Sequence, residues 1–447
     1  MKKFNKDKYL KKLRFKKYKR YLYIGIPCIL VLLIGIYFAY SKFSVFKEEE
    51  VVRTTVGDFI AGDIVVGAYI DGEYSKTIPG KNDGYIVDKI VCDTDASASW
   101  DNDSWGIMVA NLTKRTKCNV YFETKKPPLT EVITTAMSSN PNMFASDDPG
   151  KNIRYIGANP SNYVYFNCSD YNNPTADTCE LWRIIGVFNN VTKSDGSKEN
   201  LVKIIRADSL GDYSWDSSDS SVNDGYGVND WTDADAMKLL NPGYDSVSVG
   251  GSLYYNAKSG TCYAGWSNDT ISCDFTSTGL KNDTTRNAIE EVVWNLGGTS
   301  TYTSASNGLA SHWYGYERGT TVYTGHATTW TGKVGLMYPS DFGYATSGGT
   351  TKDRAACLAK DLYNWYSSDF SDCKGNDYLY NSSLYQWTLA PGSANVSDVF
   401  RVFREGYVIT LRATVADAVR PALFLKSNIQ VYKGTGEKSN PYTLKMQ

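Results

Sequence analysis

Residues 21–40, YLYIGIPCILVLLIGIYFAY, are twenty consecutive positions without a charge, and they follow a block in which eleven of the first twenty residues are Lys or Arg and one, Asp7, is acidic. An apolar run of about 20 residues is long enough to cross a bilayer as a helix, and a basic flank stays on the cytoplasmic side. The pattern predicts a basic cytoplasmic tail over 1–20, a single-pass transmembrane anchor over 21–41, and the bulk of the chain outside the cell membrane. Tyr21, Tyr23, Tyr37 and Tyr40 fall where interfacial aromatics are expected. A cleaved signal peptide has a shorter apolar core, about 7–15 residues, and a small-residue cleavage site that FAYSKF does not supply. Cys28 follows Ile26 and Pro27 early in the run, which is the wrong place for a lipoprotein cysteine. No prepilin cleavage site precedes the span.

That compartment decides how the cysteines are read. Of nine, Cys28 lies in the apolar run and eight follow it. An even count in an exported region reads as a disulfide framework. Order along the chain suggests that neighbours pair: Cys92 with Cys118, Cys168 with Cys179, Cys262 with Cys273, and Cys357 with Cys373. The rival reading is zinc. Structural zinc sites use closely spaced cysteine knuckles, often with histidine. The chain has no C-x-x-C and only His312 and His326. Disulfides are expected, and no metal or cofactor.

The net charge of −1 conceals an asymmetry. With 47 basic and 48 acidic residues in total, the eleven basic residues of the tail leave residues 21–447 at −11. Nucleic-acid binding depends on neutralising phosphates, so an acidic body argues against a nucleic-acid partner. The expected partners are the membrane and an extracellular glycan or protein.

Beyond the apolar run, 42–53 reads as a charged stalk. A small β-rich domain is expected over 54–125, from DIVVGAYIDG, GYIVDKIVC, WGIMVANLT and KCNVYFE. In the last, Cys118, Val120 and Phe122 alternate onto one face. A linker with a short helix at TEVITTAM follows over 126–149, and 150–447 reads as one larger domain rich in Gly, Ser, Thr, Asn and aromatics. Within it, helices are expected at WTDADAMKLLNP with Thr232 as cap, at NDTTRNAIEEVVWNLGG with Thr285, Ile289, Val292 and Leu296 on one face and Gly297 and Gly298 as the stop, and at KDRAACLAKDLYNWYS. No internal repeat is found.

NIRYIGANPSNYVYFN, LWRIIGVF, VKIIR, WTDADAMKLLN, VGLMYPSDFGYA, QWTLAPGS and AVRPALFLKSNIQVYKGTGEKSNPYTL resemble, in this order, an uncharacterised family of bacterial cell-envelope proteins. The likeness covers roughly residues 147–447. It implies a C-type-lectin-like fold, related to that of the sulfatase-modifying enzymes: an α+β arrangement of small antiparallel sheets, two or three helices and long loops. It brings no established activity. The calcium-binding tripeptides of lectins of this fold are missing, and the copper-binding cysteine pair of the sulfatase-modifying enzymes has no counterpart position.

No catalytic set assembles from the residues. H-E-x-x-H and G-x-S-x-G are absent. SDCK, Ser371 to Lys374, matches S-x-x-K without its companion motifs. His312 and His326 have no nucleophile assigned to them and read as ordinary loop histidines. DNDSWG, Asp101 to Gly106, starts like a calcium loop but has Trp105 at the fifth position and reads as a solvated turn. Rigid aromatics among small polar residues suit recognition. The densest stretch, SHWYGYERGTTVYTGHATTWTG, nominates Trp313, Tyr314, Tyr316, Tyr323 and Trp330 as ligand-binding residues, against the alternative that they fill the core. The expected function is a membrane-anchored surface protein that binds an extracellular ligand: a glycan, a host surface or an envelope protein. An envelope enzyme acting on glycan or wall, or a non-catalytic assembly component, is the alternative.

Overall fold

The computed structural model of the protein describes residues 52–53, 64–218 and 223–446, and the chain divides into two compact units after Lys125.

In the smaller unit, Val- and Ile-rich runs punctuated by Gly, Asn and Asp become strands. Four of them form one sheet in the order Glu73–Ser75, Ile64–Ile70, Thr116–Thr124, Tyr85–Cys92. A three-stranded sheet joins Val52–Arg53, Gly106–Ala110 and Ser97–Asp101. Cys118, Val120 and Phe122 are buried together, and Ile107 and Val109 of the second sheet share their core. Trp100 meets Phe122 edge to face at 5.2 Å. Cys92 stands opposite Cys118 in the strand register, and the two are bonded.

The larger unit is organised by the strand Glu180–Thr192, whose sequence ELWRIIGVFNNVT is buried from Trp182 to Phe188. It is central in a nine-stranded sheet that runs Val334–Gly335, Ala422–Leu425, Lys198–Arg206, Glu180–Thr192, Tyr163–Phe166, Tyr442–Lys445, Gln430–Lys433, with Phe144–Ala145 and Ile153–Tyr155 attached at its side. The register shifts at Gly186, a β-bulge. A Cβ there would stand 2.1 Å from the backbone oxygen of Ile153, so only glycine admits the neighbouring strand. A five-stranded sheet and two hairpins complete the strands. One hairpin, Ser259–Tyr263 with Thr270–Asp274, carries the Cys262–Cys273 bond. The bonds Cys168–Cys179 and Cys357–Cys373 complete the neighbour pairing expected from the sequence.

The α+β, C-type-lectin-like expectation is overturned: the fold is mostly β, 35% strand against 17% helix, in several small sheets. The physical reason is visible in the segments read as helices. NDTTRNAIEEVVWNLGG is helical only over Asp283–Ala288, capped by Asn282, whose side chain accepts from the Thr285 N–H. Its β-branched continuation, Val292–Asn295, instead pairs with Thr329–Gly332. Gly297 and Gly298 do not stop a helix; a Cβ on either would strike a backbone oxygen, of Tyr316 or Pro391. In WTDADAMKLLNP the helix is only Asp235–Leu240, and Thr232 hydrogen-bonds Asp230 rather than capping it. The third candidate is helical over Arg354–Leu358, then a 3-10 turn from Leu362 to Tyr366. Helix Leu129–Ser139 forms where TEVITTAM predicts one, and it buries Leu129 and Ile133 in the larger unit's core. The expected transmembrane helix finds no support: among the described residues no helix is long and apolar enough to cross a membrane, and residues 21–41 lie outside them.

Candidate ligand-binding cleft

Gly186 pairs on one side with Arg154 and on the other with Lys203. With no side chain between them, both cations reach one carboxylate, Asp341 on helix Pro339–Ala345. Arg154 Nη1 meets Asp341 Oδ1 at 2.9 Å, and Lys203 Nζ meets Oδ2 at 2.6 Å. Oδ2 also accepts from the Tyr338 N–H. Arg154 Nε is held at 2.6 Å by Asp148. All four side chains are buried. Burial pushes the Asp341 carboxyl up, but the Lys203 and Arg154 charges outweigh it and hold its pKa at about 2. Burial lowers Lys203, with Asp341 opposing. The Lys203 ammonium sits among four rings, 4.4 Å from Tyr338, 5.2 Å from Trp294, 5.6 Å from Phe188 and 5.7 Å from Phe424.

Above this ammonium opens a cleft of about 130 Å³. Its walls are the end of the long strand (Phe188, Asn189, Asn190, Val191, Thr192), the hairpin residues Val293, Trp294 and Asn295, and Tyr314 and Arg318, with Asn152, Lys203, Tyr338 and Phe424 completing the lining. Asn152 ties the cleft to the charges beneath. It donates to Asp148, and its side-chain oxygen accepts from the Asn189 N–H at 2.8 Å. Tyr338 fixes the opposite wall, because its hydroxyl accepts from the Asn295 N–H and donates to the Asn295 carbonyl. Arg318 lies over Tyr314, 3.5 Å from the ring centre, and donates from Nη1 to Glu317 and to the Tyr314 carbonyl. Glu317 is buried and also accepts from the Ser340 N–H and hydroxyl. Burial raises its pKa to about 7 against the lowering pull of Arg318 and Ser340.

Of the five aromatics nominated by the sequence, Tyr314 lines the cleft. Gly150 makes room for it, since a Cβ there would stand 2.1 Å from the phenol oxygen. Trp313, on the same helix, points into the core and packs edge-on against Phe400 at 4.5 Å. Tyr316 leans on Trp313. Trp330 pairs across the hairpin with Trp294 but packs near Trp231, and Tyr323 stacks near His326. The five do not converge on one surface. Sequence reasoning missed Lys203, Arg318 and the asparagines. The available signal was a cation within an apolar strand, Lys203 in LVKIIRA and Arg154 in NIRYIG, because such a charge needs a buried partner.

The other chemical candidates resolve into local structure. Lys374 of SDCK donates to the Glu405 carbonyl at 2.7 Å, and Cys373 is disulfide-bonded. The DNDSWG segment is a hairpin turn, in which Asp101 accepts from the Asp103 N–H and the Ser104 hydroxyl. His312 accepts from the Leu309 N–H, and burial lowers the His326 pKa. Asp216 and Asp235 form a second titrating pair: burial raises both, and the Asp235 charge raises Asp216 further. Among the described residues no cluster of three or more His, Cys, Asp or Glu is placed to hold a metal ion. No family model, curated protein or solved structure matches the chain.

Proposed function

We propose that the protein is an exported binding protein whose larger unit seats an end group of an extracellular glycan in this cleft. The lining carries the reading. Asn190 and Asn295 line the cleft with Tyr314 and Trp294, and among the described residues the two asparagines hydrogen-bond through their backbone. Amides meet sugar hydroxyls and aromatic faces cover C–H surface, the mixture expected of a polar small-molecule site. A volume of about 130 Å³ falls below the roughly 300–1,000 Å³ of sites that enclose a drug-sized ligand. It suits one unit of a larger molecule. Four disulfides favour an oxidising exterior as the working compartment.

The test is to screen the full chain against glycan arrays and wall fragments, scored for retention and for released product. Retention is expected and should be lost when Thr192→Trp fills the cleft while disulfide content and far-UV circular dichroism stay unchanged. Retention that survives that substitution would move the site elsewhere.

A further inference from the structure

The charge around the cleft is distributed unevenly. Two cations, Lys203 and Arg318, line it, and neither an aspartate nor a glutamate does, in a chain whose residues 21–447 carry a net charge of −11. Three buried carboxylates bonded to the cations of this region or to Ser340 are occupied. Asp148 and Asp341 hold Arg154, and Asp341 also holds Lys203. Both Glu317 oxygens accept from Ser340.

Arg318 is engaged through Nη1 alone, so Nε and Nη2 have no hydrogen-bond partner among the described residues. The contact with the Tyr314 ring and the two Nη1 bonds hold the guanidinium in place. A fixed guanidinium edge with two free N–H groups matches the two oxygens of a carboxylate. Lys203 beneath the floor has Asp341 as its hydrogen-bond partner, and its positive charge lies on the same side.

Resting on the cleft reading above, we infer that the glycan unit seated here is acidic: its carboxylate lies on the free edge of Arg318, and its hydroxyls lie against Asn190 and Asn295. The same donors suit a sulfate ester, so the experiment separates the two sources of negative charge.

The full chain is titrated by calorimetry with a glucuronate-terminated oligosaccharide, with the glucose-terminated oligosaccharide of identical length, and with its 6-sulfated form. The glucuronate form should bind about tenfold or more tightly than the neutral one, with the preference shrinking as salt rises. Arg318→Gln should remove the preference, read within the variant as the ratio of its affinities for the acidic and neutral oligosaccharides. Arg318→Lys, which keeps charge without the fork, should restore part of it. Equal binding of acidic and neutral forms, or an undiminished preference in Arg318→Gln, overturns the inference and leaves the glycan reading standing. Tighter binding of the sulfated form overturns the carboxylate assignment. Binding of none of the three, with the glycan array also blank, overturns the cleft reading and this inference together.

Discussion

Arg154 and Arg183 lie on paired strands of one sheet, both withdrawn from water, yet their charges are met in opposite ways. Arg154 is held by two carboxylates, Asp148 and Asp341, which raise its pKa against the opposing effect of burial. Arg183 has neutral partners. Its Nε donates to the Asn162 side-chain oxygen at 2.5 Å and its Nη1 to the Tyr163 hydroxyl at 2.8 Å, with the guanidinium between the rings of Tyr163 and Tyr378. Burial lowers its pKa. Arg420 nearby relies likewise on Gln386 and backbone carbonyls, and burial, reinforced by the Arg183 charge, brings it down to about 10. The first cluster has bound its charges in place next to the cleft; the second sets the Arg183 guanidinium against aromatic rings and holds Arg420 by neutral acceptors. A buried ion pair is costly to break, because the remaining charge is stranded, whereas a cation with neutral partners strands only dipoles.

Asp341→Ala is the most severe way to break this contrast. It leaves Lys203 without a carboxylate and Arg154 with one, and should cost about 3–5 kcal/mol in chemical denaturation. Arg183→Met should cost less, about 1–3 kcal/mol, because only Asn162 and Tyr163 lose a partner. Equal losses from the two would mean that carboxylates and neutral partners hold these buried cations equally well. Gly186→Ala tests the gap between Arg154 and Lys203. Its Cβ would meet the Ile153 carbonyl, and a loss of about 1–3 kcal/mol is expected from the forced backbone shift. A neutral effect would show that the bulge relaxes freely.

The mildest change concerns Glu317, which is buried beside the charged cluster and paired with Arg318. Its pKa is raised from 4.5 to about 7. A raised carboxyl stabilises the fold fully below its ordinary value, and that contribution is lost as pH rises through the folded value. Thermal melts of the native protein should therefore lose this contribution between roughly pH 4.5 and 7. Glu317→Gln should reduce the slope of the profile in that window and leave the acid limb, to which Asp341 contributes, unchanged. An identical profile for both proteins would mean that Glu317 titrates normally.

Local chemistry was legible where neighbours along the chain decide the outcome. The alternation of Cys118, Val120 and Phe122 and the pairing of consecutive cysteines both follow from residues close in sequence. Val292–Asn295 was misread because helical spacing and β-branched composition point in opposite directions there, and its strand partner lies at Thr329–Gly332. The cleft was mostly hidden for the same reason: its lining runs from Asn152 to Phe424, and only Tyr314 was nominated from sequence. Aromatic density located the right helix but not its orientation, since Trp313 and Tyr314 are adjacent and face core and cleft respectively.

The spacing of the sulfur bridges has a consequence for biogenesis. Partners are separated by 26, 11, 11 and 16 residues, and no bridge encloses or interleaves with another. As a chain is threaded outward from its N-terminal end, each thiol therefore meets its mate before the next pair has appeared. On the exported route proposed above, first-come oxidation would favour the connectivity seen, with little for an isomerase to reshuffle.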